Sequence, residues 1–494
     1  MPYTLEQVSE HKTKNSCWVI INDYVYDVTE FLQEHPGGPA IILKYAGHDA
    51  TQVYEPIHPR DALEKNLPPS KHLGPVDAEA ANALKSAKSS RKKTKDEIRS
   101  AQAHRWKPPL SHILSLHDME EVALKVLSHK ARTYYSSSAD DEVSHASNAQ
   151  AFARFFFHPR VLRPVSHCDP STTILGHPSS LPIFVSGAGL ARLGHPLGEA
   201  NITRGCAAGG IIQMVSSSPS LSYSEIMDAA APGQTLFFQL YKNRDDCLAE
   251  QRVWEVERLG YKAIFLTVDA VVPSKRERDI RSAWDLEEEE RGGPLEYVEE
   301  PQDEAAHGWG AGGALVLNDD KDMTWEKART FDAVLKRHQT IPWLRRITKL
   351  PVVIKGIQCV EDALLAVQAG VDGILLSNHG GRQLDYALPP LEILYRLRLQ
   401  HPGVFDRVEV YLDGGVRRGT DVIKAVCLGA TAVGLGRPFL YAQSAYGAAG
   451  VQRIIHLLKN EIVTAMRLMG ASGVEDLKPN MVERVDWQPV QARL

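Results

Sequence analysis

The residue types best suited to chemistry stand in and near one glycine-rich motif, Ser377-Asn378-His379-Gly380-Gly381-Arg382. An imidazole such as that of His379 can accept a proton near neutral pH. Asp269, which follows an apolar segment, could stabilise the resulting imidazolium, and Arg382 could bind a carboxylate through a bidentate pair of hydrogen bonds. These residues predict acid–base chemistry on a molecule that carries a carboxylate.

Polar or small residues follow each of eight short apolar segments. A polar residue after a single segment is most simply explained by a structural role. Polar or small residues after eight successive segments are hard to explain in that way. Small residues after the first segment would let a flat ring lie against the main chain, and Lys355 could balance negative charge on a reduced ring. The candidates are Ser186, Gly187, Ala188, Gly189, Ser216, Gln239, Tyr241, Thr267, Asp269, Lys355, His379, Arg382, Asp413, Gly414, Gly415, Arg417, Gly436 and Arg437.

Glycines and arginines after the last two segments predict a phosphate site. Backbone N–H groups and guanidinium groups bind phosphate monoesters, and β/α barrels commonly do so in these two loops. The candidates are Gly414, Gly415, Arg417, Gly436 and Arg437.

Two histidines stand apart from this set, in a short N-terminal unit. His35 opens a His-Pro-Gly-Gly turn, and His58 follows 23 residues later. Two neutral imidazoles on opposite sides of an iron macrocycle would fill both axial positions, which permits electron transfer and leaves no open site for oxygen. Taken alone, the turn is equally consistent with an incidental histidine.

The eight apolar segments alternate with helical stretches, which predicts parallel β/α units buried on both faces. Eight such units favour a closed (β/α)₈ TIM barrel with the site residues at the strand C-termini. An open, doubly wound sheet is the alternative, although no GxGxxG follows the first segment. The segments are 181–185, 211–215, 236–240, 263–268, 351–354, 373–376, 408–412 and 432–435.

Composition excludes several classes of protein. The 494 residues carry a net charge of −5, which disfavours a nucleic-acid partner. Six cysteines are scattered singly, without the paired spacing of a disulfide framework or zinc site. No apolar run approaches the ~20 residues of a membrane helix, and the first residues resemble neither a signal nor a transit peptide. We therefore expect a soluble protein in a reducing compartment.

Composition also predicts the domain boundaries. A small unit over residues 1–77 precedes a charged linker over 78–108, and a large unit follows over 109–494. An acidic, mobile surface insertion is expected at about 285–320, where ten carboxylates fall between Asp285 and Glu304.

The small unit resembles the cytochrome b5 family, in the run Phe31-Leu32-Gln33-Glu34-His35-Pro36-Gly37-Gly38 and in His58. This resemblance implies an α+β domain that binds heme b through His35 and His58. The large unit resembles the FMN-dependent α-hydroxy-acid oxidising enzymes, in Ser377–Asp385 and in Asp413–Gly419. In this order the two units are similar to the flavocytochrome b2 family. The resemblance implies oxidation of a small L-2-hydroxy acid through FMN, with electrons passing to heme b and then to cytochrome c or another one-electron acceptor, in a homotetramer.

The resemblance also implies residue roles. His379 would remove the α-hydrogen or its proton, Asp269 would support the imidazolium, and Tyr241 would contact the hydroxyl. Arg382 and Tyr134 would bind the carboxylate, with Arg276 as an additional, movable cation. FMN would be held by Ser216, Gln239, Thr267, Lys355 and Arg437. A heme-binding protein with a non-catalytic barrel and an oxidase that uses oxygen remain alternatives.

Three positions depart from the lactate-specific pattern. Gly189 and Ser218 stand where alanine and leucine are usual, and Ala188 replaces a frequent threonine. The lost apolar volume favours a 2-hydroxy acid larger than lactate, either aryl or longer aliphatic.

The sequence gives two indications of the compartment. The cytoplasm is expected, since no presequence for the mitochondrial intermembrane space is evident. The terminal Ala492-Arg493-Leu494 resembles the peroxisomal Ser-Lys-Leu signal, which makes the peroxisome the alternative.

Overall fold

The computed structural model describes residues 2–35, 38–293, 319–325 and 340–486. Its N-terminal unit contains an antiparallel sheet in the order β1-β2-β3-β4. Asn22 and Asp23 join β2 to β3, and both have positive φ, at 52° and 61°. Such a pair is typical of the type I′ turn, whose twist matches that of the strands in a two-residue hairpin. The strands are Lys12–Thr13, Ser16–Ile21, Tyr24–Asp27 and His72–Pro75.

Four short helices complete this unit. His35 lies just before α2, and His58 follows α3, so the two histidines approach from separate elements. The adjacent apolar cluster contains Leu32, Val19 and Leu67, which are buried. The helices α1 to α4 are Leu5–Ser9, Pro39–Leu43, Thr51–Tyr54 and Ala62–Asn66.

The segment 78–108 contains two helices, α5 (Ala78–Ser90) and α6 (Lys95–Trp106). Asp77 caps the first through the Ala80 N–H, and Thr94 forms a capping box with Glu97 at the second. These caps satisfy N–H groups at each helix start, so charged residues with little apolar surface still form helices here.

Eight parallel strands form a closed barrel, which confirms the predicted TIM barrel and excludes the open sheet. Each strand overlaps its predicted segment, with ends that differ by at most three residues. Phe184, Phe237, Phe265 and Tyr411 fill the barrel interior and are fully buried. The strands β8 to β15 are Ile183–Val185, Ile212–Ser216, Leu236–Leu240, Ile264–Thr267, Val352–Ile357, Gly373–Leu376, Glu409–Asp413 and Ala432–Leu435.

Helices alternate with these strands and surround the barrel, and further helices precede it. Two small antiparallel pairs lie outside the barrel, β5 with β16 and β6 with β7. These four strands are Phe155–Phe157, Val482–Arg484, Thr172–Ile174 and His177–Ser179. The helices α7 to α18 are Leu116–Val126, His129–Ser136, Val143–Phe152, Gly198–Gly209, Tyr223–Asp228, Asp246–Leu259, Glu277–Arg291, Thr340–Ile347, Val360–Gln368, Pro390–Gln400, Gly419–Cys427 and Arg437–Leu468.

Two predicted features fall wholly or partly outside the described residues. The start of the expected acidic insertion, from Asp285 to Arg291, belongs to α13, and residues 294–318 lie outside. The terminal Ala492-Arg493-Leu494 also lies outside. Among the described helices, none combines the length and apolar character that a membrane span needs.

Candidate active site and cofactor sites

His379 and Asp269 form the centre of the candidate active site. His379 follows β13 in a turn where its own φ is 58°, and Asp269 lies just after β11. Nδ1 of His379 lies 2.9 Å from Oδ1 of the fully buried Asp269. Burial alone would raise the pKa of Asp269, but Lys355 and His379 lower it, so the carboxylate is charged. A charged carboxylate on Nδ1 fixes the tautomer and leaves Nε2 as the basic atom.

Tyr241, one residue beyond β10, faces that basic atom. Its hydroxyl lies 3.2 Å from Nε2 of His379, and the two rings are nearly parallel. Burial and then the Lys355 charge lower the pKa of His379, against the opposing effect of Asp269. The imidazole is therefore neutral near pH 7 and ready to accept a proton.

Lys355 on β12 lies between the strands of Asp269 and His379. Its Nζ is 3.7 Å from Oδ2 of Asp269 and 3.4 Å from Oγ of Ser377, in a position that is 3% exposed. Within the described part of the chain, Oδ2 of Asp269 makes no hydrogen bond. A buried ammonium at this edge of the barrel can also stabilise negative charge on a neighbouring group.

Two arginines, the partly buried Arg382 and the buried Arg276, surround Tyr134 on the other side of the site. The guanidinium carbons of Arg382 and Arg276 lie 5.1 and 5.8 Å from its ring centroid. Arg276 is 7% exposed, and its Nε and Nη2 make no hydrogen bond to any described residue, although Asp279 is 3.6 Å away. Burial and then Arg382 lower the pKa of Arg276 to about 10, so it remains charged at pH 7. Unpaired buried donors of this kind fit a carboxylate ligand.

Arg382 and Arg437 both bind the C-terminal end of α8. Nη1 of Arg382 donates to the carbonyls of Tyr134 and Ser137, at 2.8 and 3.1 Å. Arg437 donates through Nε to Tyr135 and through Nη2 to Ser137, at 2.9 and 3.0 Å. Cations stabilise the carbonyls at a helix C-terminus, so α8 fixes the positions of both guanidinium groups.

The remaining strand-end residues form a hydrogen-bonded row. Oγ of Ser216 donates to Gln239, and Nε2 of Gln239 donates to Thr267, at 3.0 and 2.9 Å. Ser186 donates to Asp413 at 3.0 Å across the barrel closure. A cavity beside this row is lined in part by Ser186, Ala188, Ser216 and Gly436.

Glycine is required at two points of these loops. A Cβ on Gly187 would lie 2.8 Å from the Gln239 side chain, and one on Gly415, where φ is 82°, would lie 2.3 Å from the backbone of Asn148. The loops after β8 and β14 can therefore pack this closely against Gln239 and Asn148 only with glycine at these positions.

The predicted phosphate residues lie in two adjacent loops. Gly414 and Gly415 follow β14. Gly436 precedes helix α18, which is kinked at Tyr446 and Gly447 and whose N-terminus favours an anion. Arg437 is the first residue of α18, and burial and then Arg382 lower its pKa to about 10. Arg417 forms an ion pair with Glu120. The geometry thus brings together all five predicted residues, with Arg417 already paired.

The two histidines of the small unit face each other. The ring centroids of His35 and His58 are 6.0 Å apart, and the rings are tilted by 38°. Metal–imidazole bonds are about 2 Å long, so an iron ion fits between the rings. Burial lowers the pKa of both histidines, that of His58 to about 4, which gives the neutral form that ligation needs. Nδ1 of His58 contacts the Tyr54 carbonyl at 3.1 Å, which leaves Nε2 to bind iron. The pair fits a heme.

Several residues that support the site were missed in the sequence. Asn378 and Asn148 exchange two 2.8 Å hydrogen bonds, and Asn378 also accepts from the Gly381 N–H. Asp385 accepts from the N–H groups of Val143 and Ser144 at the start of α9. Asn378 and Asp385 lie within the conspicuous motif, but Asn148 is an isolated polar residue that carries no sequence signal.

Comparison with known proteins covers both units. Residues 4–77 match the cytochrome b5-like heme/steroid binding domain, and residues 123–484 match the FMN-dependent dehydrogenase family. The chain is 42% identical over 482 residues to an L-lactate dehydrogenase (cytochrome) of Wickerhamomyces anomalus, which covers 97% of this chain and 79% of the relative.

Solved structures of flavocytochrome b2 are also similar. One of them is a double mutant with pyruvate bound, in which an alanine is replaced by glycine and a leucine by alanine. It has a TM-score of 0.69 at 40% identity, and the match covers 82% of this chain and 94% of that chain. A leucine-to-alanine mutant with benzoylformate has a TM-score of 0.68 at 39% identity, over 81% and 93%. FMN and heme b are thus the cofactors of this protein. The chain belongs to the FMN-dependent dehydrogenase family, as a member with an N-terminal cytochrome b5-like domain.

Proposed function

We propose that this protein oxidises an L-2-hydroxy acid to the 2-oxo acid and passes the electrons to an external one-electron acceptor such as cytochrome c. The observation that carries this proposal is the neutral His379, held by Asp269 on one ring nitrogen and facing Tyr241 with the other. The name of the W. anomalus relative supports both the substrate class and the cytochrome acceptor. FMN, when bound, accepts the two electrons of the substrate, and heme b passes them on one at a time.

The arginines and Tyr241 orient the substrate. Arg382 and Arg276 bind its carboxylate beside the Tyr134 ring, because Nε and Nη2 of the buried Arg276 make no hydrogen bond to a described residue, although Asp279 lies 3.6 Å away. The Tyr241 hydroxyl then contacts the substrate hydroxyl, and this places the reacting carbon beside Nε2 of His379. His379 takes the departing proton at Nε2, and Asp269 stabilises the imidazolium that forms.

The strand-end residues hold FMN. Ser186, Gly187, Ala188, Ser216, Gln239 and Thr267 border the ring, and Lys355 supplies positive charge beside it. Gly414, Gly415, Arg417, Gly436 and Arg437, with Asp413 at the end of β14, form the phosphate end. In the small domain, His35 and His58 bind the heme iron.

The substrate is a 2-hydroxy acid larger than lactate. Gly189 has no side chain and Ser218 has a short one, where alanine and leucine are usual, so less apolar side-chain volume borders the pocket. Flavocytochrome b2 mutants in which alanine or leucine becomes a smaller residue, the same kind of change, have been solved with pyruvate and with benzoylformate. An aryl or longer aliphatic side chain would fill this space.

Anaerobic addition of a panel of hydroxy acids to the purified holoprotein tests the function. Flavin bleaching followed by heme reduction is expected. Absence of bleaching with every acid would contradict the proposal, and peroxide formation in air would identify an oxidase instead. A higher kcat/KM for L-mandelate than for L-lactate is expected, and a clear lactate preference would refute the larger substrate.

Assembly and compartment are further proposals with their own tests. A homotetramer is proposed from the family resemblance, and light scattering of the full chain would test it. We propose a cytoplasmic location, with the peroxisome as the alternative suggested by the terminal Ala-Arg-Leu. A fluorescent reporter carrying the last ten residues would remain diffuse in the first case and form puncta in the second.

A further inference from the structure

Glu199 is a buried carboxylate that the proposed reaction does not use. It lies in the first turn of α10 and is 2% exposed. Its Oε1 accepts hydrogen bonds from two backbone N–H groups, those of Ala191 at 3.1 Å and Ser220 at 2.9 Å. Its Oε2 makes no hydrogen bond within the described residues. A single carboxylate oxygen thus joins two different loops.

The two joined loops are those that shape the substrate pocket. Ala191 belongs to the loop after β8, which carries Gly189, and Ser220 belongs to the loop after β9, which carries Ser218. A second link runs in parallel, because Oγ of the fully buried Ser220 accepts from the Arg192 N–H at 3.2 Å. The two loops also contact each other beside the pocket, because a Cβ placed on Gly189 would lie only 2.5 Å from the carbonyl oxygen of Ser218.

We propose that Glu199 is a positioning residue for substrate selection, which locks the Gly189 loop onto the Ser218 loop and so fixes the width of the pocket. This inference rests on the proposed function, because selection presupposes that a 2-hydroxy acid is oxidised here. Burial raises the pKa of Glu199, and its Oε1 can accept both hydrogen bonds whether or not Oε2 carries a proton. Two buried hydrogen bonds from different loops to one oxygen hold these loops at a fixed separation.

Three variants test whether the hydrogen bonds between the two loops, and not simply the presence of a buried carboxylate, control substrate selectivity. E199Q keeps the accepting Oε1, E199L removes it, and S220A removes only the second link. Glu392, a buried carboxylate whose partners are Arg154 and Arg484, supplies the control E392Q. Selectivity is the ratio of kcat/KM for L-mandelate to that for L-lactate, and flavin absorbance titration gives Kd for benzoylformate and pyruvate. We expect E199L to reduce the ratio of the kcat/KM values and the ratio of the two Kd values by about tenfold each. E199Q and E392Q should leave both ratios within about twofold of those of the unmutated protein.

A double-mutant cycle tests the link through a different quantity. G189A places a methyl group against the Ser218 carbonyl, and it should lower kcat/KM strongly while the loops are locked. In the E199L background the loops can separate, so the same substitution should cost about fivefold less. S220A, which keeps both bonds to Glu199, should reduce this cost less than E199L does, and E392Q should leave it unchanged. Additive effects of G189A and E199L, with selectivity retained in E199L, would overturn the inference.

The outcomes distinguish this inference from the proposed function. If the unmutated holoprotein oxidises neither acid, the function is wrong and the link has no selective role. In the other case the protein oxidises both acids, and the variants change neither the selectivity, nor the Kd values of the products, nor the loss of kcat/KM caused by G189A. Only the inference about Glu199 is then wrong. Should E199L not yield folded holoprotein by Tm and FMN content, E199D, whose shorter side chain cannot reach both N–H groups, takes its place in both tests.

Discussion

Nδ1 of His379 lies 2.9 Å from Oδ1 of Asp269, across 110 positions of sequence. The two residues follow β13 and β11, and the strand between them, β12, carries Lys355. Asp269 therefore lies between an ammonium and an imidazole, and its charge supports both. The barrel order itself creates this arrangement, because neighbouring parallel strands end at the same edge.

Substitution D269N should remove the charge and retain the shape of this pair. We expect kcat to fall by about 10²–10⁴-fold with little change in KM, because the imidazolium loses its stabilising partner. Asp269 raises the pKa of His379, so the acid limb of the kcat/KM profile should move to lower pH in the variant. Steady-state kinetics across pH would check this. An unchanged acid limb, with FMN content and Tm retained, would argue against His379 as the base.

Substitution R276M should weaken carboxylate binding. The Nε and Nη2 donors of Arg276 have no hydrogen-bond partner within the described chain, so a substrate carboxylate would be their partner. KM for the hydroxy acid and Kd for the 2-oxo acid should both rise about 10–100-fold. The exposed Arg346 offers the control R346M, which should change neither quantity. Unaltered binding in R276M would mean that Arg276 serves only to stabilise the fold.

Substitution S218L should narrow the pocket and favour lactate. An added isobutyl group beside Gly189 removes space for an aryl side chain, and such packing differences change selectivity about 10–200-fold. Comparison of kcat/KM for L-lactate and L-mandelate would measure the shift. S218A, which leaves the space open, should retain the original preference. If S218L and S218A show the same ratio, residue 218 does not contact the substrate side chain.

Much of this architecture could be predicted from the sequence, and the exceptions have physical reasons. Continuous apolar segments such as 181–185 and 373–376 identify barrel strands directly, because strands buried on both faces need no polar residues. The segment 78–108, predicted as a charged linker, contains helices α5 and α6, whose caps are the single residues Asp77 and Thr94. The apolar face of α5 is limited to a few residues such as Ala80 and Leu84, which is too weak a pattern to identify a helix from the sequence.

The supporting contacts of the site could not be predicted in the same way. Asn148 and Glu199 act through hydrogen bonds to residues distant in sequence, and no local pattern indicates such partners. His379, Arg382 and Asp385 could be found because one short motif holds all three. Residues in a local motif are therefore predictable, whereas residues that join separate loops become apparent only in the fold.

His145 should make the protein sensitive to moderate acid. Burial, and then Arg437, lower its pKa to about 4 from 6.5, so the unfolded chain binds a proton more readily than the folded one. The free energy of unfolding should therefore fall as pH drops from about 6.5 to 4, by up to about 3 kcal/mol from this residue. H145N should flatten that part of the curve, as measured by urea unfolding at several pH values. The exposed His48 gives the control H48N, which should leave the pH dependence unchanged.

Substitution H58A should separate the two halves of the electron path. Loss of one axial imidazole removes bis-histidine ligation, so the low-spin heme spectrum should disappear while the barrel remains intact. Flavin bleaching by the hydroxy acid should then proceed at the original rate, and cytochrome c reduction should fall to the level that reduced flavin supports alone. H48A, which changes an exposed histidine of the same domain, should keep both activities. Full cytochrome c reduction in heme-free H58A would show that electrons leave the barrel directly, and that His35 and His58 hold a heme outside the main path.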